Sequence, residues 1–207
     1  PHGVLDFDYS LIKKTAKKQK KFHISTYGFC LPNKGLLELI KAVNIMRNRN
    51  YDVKLTLYTA LYQSELSIQI SKEIHSLIRD LNLSNYIFVN HKFASDKETL
   101  LSLAKTDLVV FAYQATNESA SGAVRQGIAS GVPVAVTPIS IFDDVRDIVY
   151  SLPGCKPIDL ADGIISLFES DLFESLTKNS REWINTHKFS KLAQRLLGLI
   201  RSLENNP

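Results

Sequence analysis

Only two cysteines, Cys30 and Cys155, occur in the 207 residues, far apart and without CxxC spacing. That scarcity argues against a disulfide framework and a cysteine zinc site, and it makes a reducing cytoplasm the expected setting. No apolar run approaches the ~20 residues of a membrane-spanning helix, and no signal-peptide pattern opens the chain at Pro1-His2-Gly3-Val4. Internal repeats and low-complexity tracts are lacking as well. A Walker A loop and a GxGxxG fingerprint are both missing. Gly127-x-x-Ser130-Gly131 lacks the G-x-S-x-G spacing of an α/β-hydrolase nucleophile. The first β-like run ends in Thr26-Tyr27-Gly28 without the acidic cluster that a phospho-acceptor receiver domain needs. The start at Pro1 rather than methionine leads us to expect a piece of a longer protein. With 44% hydrophobic and 22% charged residues, the chain is an ordinary globule rather than a fibrous or disordered one.

The net charge of +4 is unevenly spread, because six lysines crowd into Lys13, Lys14, Lys17, Lys18, Lys20 and Lys21. Such a cluster is either a solvated helix face or a contact with anionic phospholipid headgroups, worth about 1 kcal/mol per lysine near the surface. Nucleic acid is not an expected partner, since no aromatic residues interleave with the lysines to stack bases. We set residues 1–21 apart as a hinge and basic lead-in, and take 22–207 as one domain.

From there two hydrophobic periods alternate. Strand-like runs cover Phe22–Tyr27, Val53–Tyr58, Tyr86–Val89, Leu108–Ala112 and Pro133–Val136. Apolar residues at helical spacing fill the gaps, at Leu36–Met46, Leu66–Leu81 and around Leu100–Ala104. A further helix is expected over Ala120–Ser130, capped by Gly131. Leu108-Val109-Val110-Phe111-Ala112 is apolar at every position, as befits a strand covered on both faces. Strand and helix therefore alternate at least five times, which predicts an α/β fold: a doubly wound, Rossmann-like parallel sheet with helices on both faces. Beyond Pro157 the pattern turns wholly helical.

Ligands of such sheets bind beyond the carboxyl ends of the strands, which selects the loops Gly28–Gly35, Asn90–Asp96 and Tyr113–Gly122. The third loop is rich in small residues (Ser119, Ala120, Ser121, Gly122) and opens a helix, where free N–H groups favour an anion such as phosphate. Plain N-capping by Ser119 or Ser121 explains the same residues. In the first loop, Lys34 precedes a helix, where a cation gains nothing from the helix dipole. It marks either an anionic ligand nearby or a solvent-exposed turn.

Taken together, Gly28-x5-Lys34-Gly35 and Glu118-x7-Gln126, followed by Gly131-Val132-Pro133-Val134, resemble the C-terminal, donor-binding domain of the GT-B glycosyltransferases of group 1. The opening Pro-His-Gly-Val is similar to that family's hinge, and the resemblance runs in register along essentially the whole chain. It implies a UDP- or GDP-sugar as donor substrate, no separate cofactor or metal, and transfer with retention at the anomeric carbon. The acceptor, a glycan or a lipid-linked glycan in polysaccharide assembly, would bind in an N-terminal domain outside this sequence. The resemblance assigns Lys34 to the donor pyrophosphate and Glu118 to hydroxyls of the transferred sugar, both counted as catalytic. Gly28 and Ser119 to Gly122 would hold the phosphates, and His91, Lys92 and Phe93 would receive the base, largely through backbone groups.

Two positions depart from the family pattern. Phe29 stands in place of an arginine that shares the pyrophosphate charge, and Gln126 in place of a glutamate that binds the ribose. A glutamine keeps one acceptor oxygen but loses the charge. Arg125 either turns towards the loop to supply the missing cation or lies on an exposed helix flank. These departures leave open a non-catalytic nucleotide- or ligand-binding module on the same fold. Asp6-Phe7-Asp8 matches the D-x-D metal signature of a different glycosyltransferase architecture, but it sits off any strand end. The expected setting is cytoplasmic, peripheral to the membrane face if the lysine cluster meets lipid.

Overall fold

A computed structural model describes residues 3–5, 21–116, 118 and 120–204. Its strands are β1 (Lys21–Phe29), β2 (Asp52–Ala60), β3 (Ile87–Asn90), β4 (Leu108–Phe111), β5 (Val134–Val136) and β6 (Tyr150–Ser151). All pair in parallel, in the order β3-β2-β1-β4-β5-β6. The doubly wound sheet that the alternating periods predict is therefore present. The helices are α1 (Leu36–Asn48), α2 (Glu65–Asp80), α3 (Asp96–Leu103), α4 (Gly122–Ala129), α5 (Pro157–Glu169), α6 (Leu172–His187) and α7 (Phe189–Glu204), with a 3-10 stretch at Ser140–Ile148.

The apolar run of β4 shows why both faces had to be covered. Leu108 and Val110 join the core beneath α1, α2 and α5, whereas Val109 and Phe111 join the core beneath α3, α4, the 3-10 stretch and α6. Side chains alternate across a strand, so a strand between two helical layers has no polar position to spare. Local signals place the helix starts. Ser64 caps α2 by accepting from the Ser67 amide, Ser95 and Glu98 form a reciprocal capping box on α3, and Pro157 opens α5.

Three details differ from the sequence reading. The helix expected from Ala120 begins at Gly122, because the Ser121 hydroxyl accepts from the Val124 amide and so takes the N-cap position. The 3-10 stretch and the two-residue β6 answer to neither hydrophobic period, being too irregular or too short. Of the segment set apart as a lead-in, Gly3–Leu5 is built into the fold. Val4 is buried, donates to the His187 carbonyl and accepts from the Phe189 amide. The lysine cluster, apart from the backbone of Lys21, lies outside the described residues, as does Asp6-Phe7-Asp8.

The sheet order reverses between β1 and β4, whose following loops both emerge at the carboxyl edge. That crevice is where a doubly wound sheet takes its ligand. No helix among the described residues is long and apolar enough to cross a membrane.

Candidate functional site

A cleft of about 550 Å³ opens at this switch point. The end of β1 supplies Gly28 and Phe29, the loop that follows supplies Leu31 and Lys34, α4 and its cap supply Ser121, Gly122 and Gln126, and Lys92 and Phe93 complete the lining. Tyr27, Tyr58 and Tyr113 form much of the floor.

The two central loops are locked together. Gly35 has φ +67°, and a Cβ there would lie 1.7 Å from the Ala112 carbonyl oxygen. Glycine is thus required twice over, for the left-handed conformation and for the close approach. The Gln114 amide donates to the Asn33 carbonyl at 2.8 Å, fixing β4's exit against the start of α1. Lys34 is held between them. Its Nζ lies 4.2 Å from the centroid of the Tyr113 ring and 3.3 Å from Glu118 Oε2, with the lysine side chain 17% exposed and the glutamate 58%. Burial pushes the Tyr113 phenol up to about 12, so the ring is neutral and its face can hold the cation. Lys34 and Glu118, 84 residues apart, meet as an ion pair in one cleft.

The other sequence candidates separate into two groups. Gly28, Lys92, Phe93, Ser121, Gly122 and Gln126 line the cleft with Lys34 and Glu118. His91, Ala120 and Arg125 do not. The His91 side chain is committed to structure: Nδ1 donates to the Thr59 carbonyl at 2.6 Å, and Nε2 accepts from the Ser71 hydroxyl at 2.9 Å. A carbonyl can only accept, which fixes this tautomer. Ala120 is half-buried one residue before the α4 cap, and Ser119 lies outside the described residues.

Arg125 answers to neither expectation. It is 6% exposed, so it is not a surface residue. Nor does it turn to the cleft, because its guanidinium pairs with Asp144 of the 3-10 stretch and donates to the Ser121 carbonyl at 2.8 Å. A buried guanidinium needs a carboxylate, and Asp144 is the one in reach.

Where the family pattern has arginine, the cleft has an aromatic shelf. Phe29 stacks on Phe93 with centroids 6.1 Å apart and planes at 15°, and meets Tyr62 edge-on at 5.3 Å. Lys92, the second cation on the wall, gives its ammonium to Glu98 at 3.1 Å. Glu98's carboxyl is pulled down to about 2, first by the Ser95 amide and then by Lys92. Among the described residues no cluster of histidine, cysteine and carboxylate side chains has a metal-binding arrangement.

The tyrosines of the floor escaped sequence reading. Tyr27 and Tyr58 are register partners at the ends of β1 and β2, a pairing that becomes visible only once strand order is known. The chain can therefore offer an anionic, partly planar ligand one enclosed lysine, a helix start and an aromatic wall.

Comparison with known proteins bears on that chemistry. The family described as "Glycosyl transferases group 1" matches residues 9–184. Among curated proteins, none matches the chain. A glycosyltransferase from Rickettsia africae superposes with a TM-score of 0.72 at 17% identity, covering 92% of this chain and 50% of that one. Anabaena HepE, solved with UDP, gives a TM-score of 0.75 at 19% identity, covering 88% and 49%; it has also been solved with UDP-glucose. The C-terminal domain of the group 1 family protein LpcC from Francisella tularensis gives 0.68 at 17% identity, covering 89% of this chain and 100% of that domain. The chain thus spans about half the length of the Rickettsia and Anabaena proteins.

Proposed function

The chain belongs to the glycosyl transferases group 1, and from that premise we propose that it is the donor-binding domain of a retaining, metal-independent glycosyltransferase that uses a nucleoside diphosphate sugar. The observation that carries this reading is the enclosed Lys34 ammonium, held at the β1/β4 switch point opposite the first turn of α4. The nucleotides bound by Anabaena HepE support a UDP-type donor.

The chemistry follows from where charge develops. As the bond from the anomeric carbon to the β-phosphate oxygen breaks, negative charge accumulates on the diphosphate. Lys34 and the N–H groups at the start of α4, fixed before the reaction, stabilise that charge in an enclosed site, where such groups act most strongly. The phosphates meet a single enclosed lysine, because Phe29 and Arg125 contribute no cation to the cleft. Glu118 lies beside Lys34, positioned to accept hydrogen bonds from hydroxyls of the sugar. The Phe29–Phe93 shelf offers the base an apolar face. The acceptor, a glycan or lipid-linked glycan in polysaccharide assembly, binds to a partner domain.

Titration calorimetry with UDP, GDP and their sugars tests the proposal. At least one nucleoside diphosphate should bind. Lys34→Ala should weaken it by roughly tenfold or more, since a hydrogen bond to a charged group contributes about 1.5–3 kcal/mol, while leaving the uncharged nucleoside unaffected. Equal loss for both ligands would separate Lys34 from the phosphates, and no binding at all would sink the reading. We further propose a cytoplasmic protein whose Lys13–Lys21 cluster meets anionic lipid. Neutralising Lys13, Lys14, Lys17 and Lys18 should then abolish co-sedimentation with phosphatidylserine vesicles at low salt. A wild-type chain that ignores such vesicles would leave the cluster a solvated face.

A further inference from the structure

Gln126 lines the cleft from α4, and its side chain is oriented by a residue outside the cleft wall. Nε2 donates to Oδ1 of Asp96, the first residue of α3, at 3.1 Å. An ionised carboxylate accepts and cannot donate. The amide nitrogen must therefore face Asp96, and Oε1 must face the other way. That oxygen is buried and has no hydrogen-bond partner, the state that folded proteins avoid unless something else fills it.

The neighbouring hydroxyls do not fill it. Tyr27's phenol lies beside Thr99 and Tyr58's beside Ser102, and neither reaches Oε1. Burial holds both phenols above their ordinary value, so both stay neutral at neutral pH. The carbonyl oxygen of Gln126 therefore stands in this corner with no protein donor. Its complement is a ligand group that brings its own O–H.

We infer that Asp96 is a positioning residue that locks the Gln126 amide with its carbonyl oxygen presented to a donor hydroxyl of the ligand. An unlocked glutamine is a two-faced group, accepting or donating according to which way the amide turns. Tied to a carboxylate it has one face only. The pair thereby reads the presence of a hydroxyl, and rejects a ligand that lacks one by leaving Oε1 unpaired, the kind of mismatch that discriminates strongly. On the nucleoside diphosphate reading, on which this inference rests, the group being read is a ribose hydroxyl. Asp96 then stands in for the charge that Gln126 lacks, acting through the amide.

The test compares UDP with 2′,3′-dideoxy-UDP, and GDP with its dideoxy analogue, by calorimetry on the wild-type chain and on Asp96→Ala, Gln126→Ala and the double variant. The wild type should prefer the ribo form by about tenfold or more, and each single variant should reduce that preference to about twofold. The double variant should lose no more than Gln126→Ala alone, because Asp96 acts only through that amide. An Asp96 that merely supports α3 would change the melting temperature and leave the preference intact, which overturns the positioning role. Equal binding of ribo and dideoxy forms by the wild type overturns the inference while leaving the nucleotide reading standing. Failure of all four nucleotides to bind overturns both.

Discussion

Replacing Glu118 with glutamine should tighten the binding of UDP, although it removes a residue from the cleft. Glu118 Oε2 lies 3.3 Å from Lys34 Nζ, so the carboxylate holds the cation that a diphosphate requires. At that separation the attraction is about 1.3 kcal/mol in a water-like medium and larger where solvent is excluded. Lys34 is mostly enclosed, but Glu118 is 58% exposed. Screening and side-chain ordering therefore reduce the net pair to roughly 0.5–1 kcal/mol. A diphosphate must displace the carboxylate or bind beside it, and either course costs about that much. Glu118→Gln removes the competitor, so UDP affinity should rise about two- to fivefold at low salt. The gain should shrink at higher ionic strength, because an exposed carboxylate is screened. The sugar nucleotide should behave differently. Once displaced, Glu118 is free to accept from sugar hydroxyls, so the variant should gain less affinity for UDP-sugar than for UDP. With the acceptor-binding domain present, and on the donor-domain reading, turnover should fall by about tenfold or more, equivalent to ~1.4 kcal/mol of transition-state stabilisation. Calorimetry with both ligands, with and without salt, reads the affinities, and a sugar-transfer assay with the acceptor-binding domain present reads the turnover. A variant that binds UDP no better than wild type would refute the competition, and unchanged turnover would refute the sugar-orienting role.

Gly35→Ala should lower stability by about 3 kcal/mol or prevent folding, since it joins left-handed strain to a collision with the Ala112 carbonyl; urea denaturation reads the change, and a near-neutral result would mean that the two loops do not pack as described. Asp144→Ala should destabilise the fold by about 1–3 kcal/mol by leaving the Arg125 guanidinium buried without its partner, a discounted value because Asp144 itself is partly exposed. The same variant should leave UDP affinity unchanged, and a large loss of binding would return Arg125 to the phosphate site.

What the sequence discloses here depends on how far apart the interacting residues lie. Periodicity is local, so the five main strands and the helices between them are legible, and the unbroken apolar run Leu108–Phe111 correctly announces a strand covered on both faces. Loop chemistry is also local: Lys34 before α1 and Ser121 before α4 stand where their spacing put them. The contacts that decide chemistry are not local. Lys34 meets Glu118 across 84 residues, and Gln126 meets Asp96 across 30, because β1 and β4 are neighbours in the sheet and α3 packs beside α4. Neither pairing follows from composition or period. Arg125 shows the consequence most clearly. Both sequence readings treated it as a free cation choosing between ligand and solvent, whereas its partner sits on an irregular 3-10 stretch that neither period could place. Burial of a charge is decided by whether a counter-charge arrives with the fold. Asp144 arrives for Arg125, just as Glu118 arrives for Lys34. The two pairs differ in what they face: Arg125 is buried and does not line the cleft, while Lys34 and Glu118 both line it, where an anionic ligand can replace the carboxylate. That difference, rather than the kind of cation, makes Lys34 the residue available to an anionic ligand.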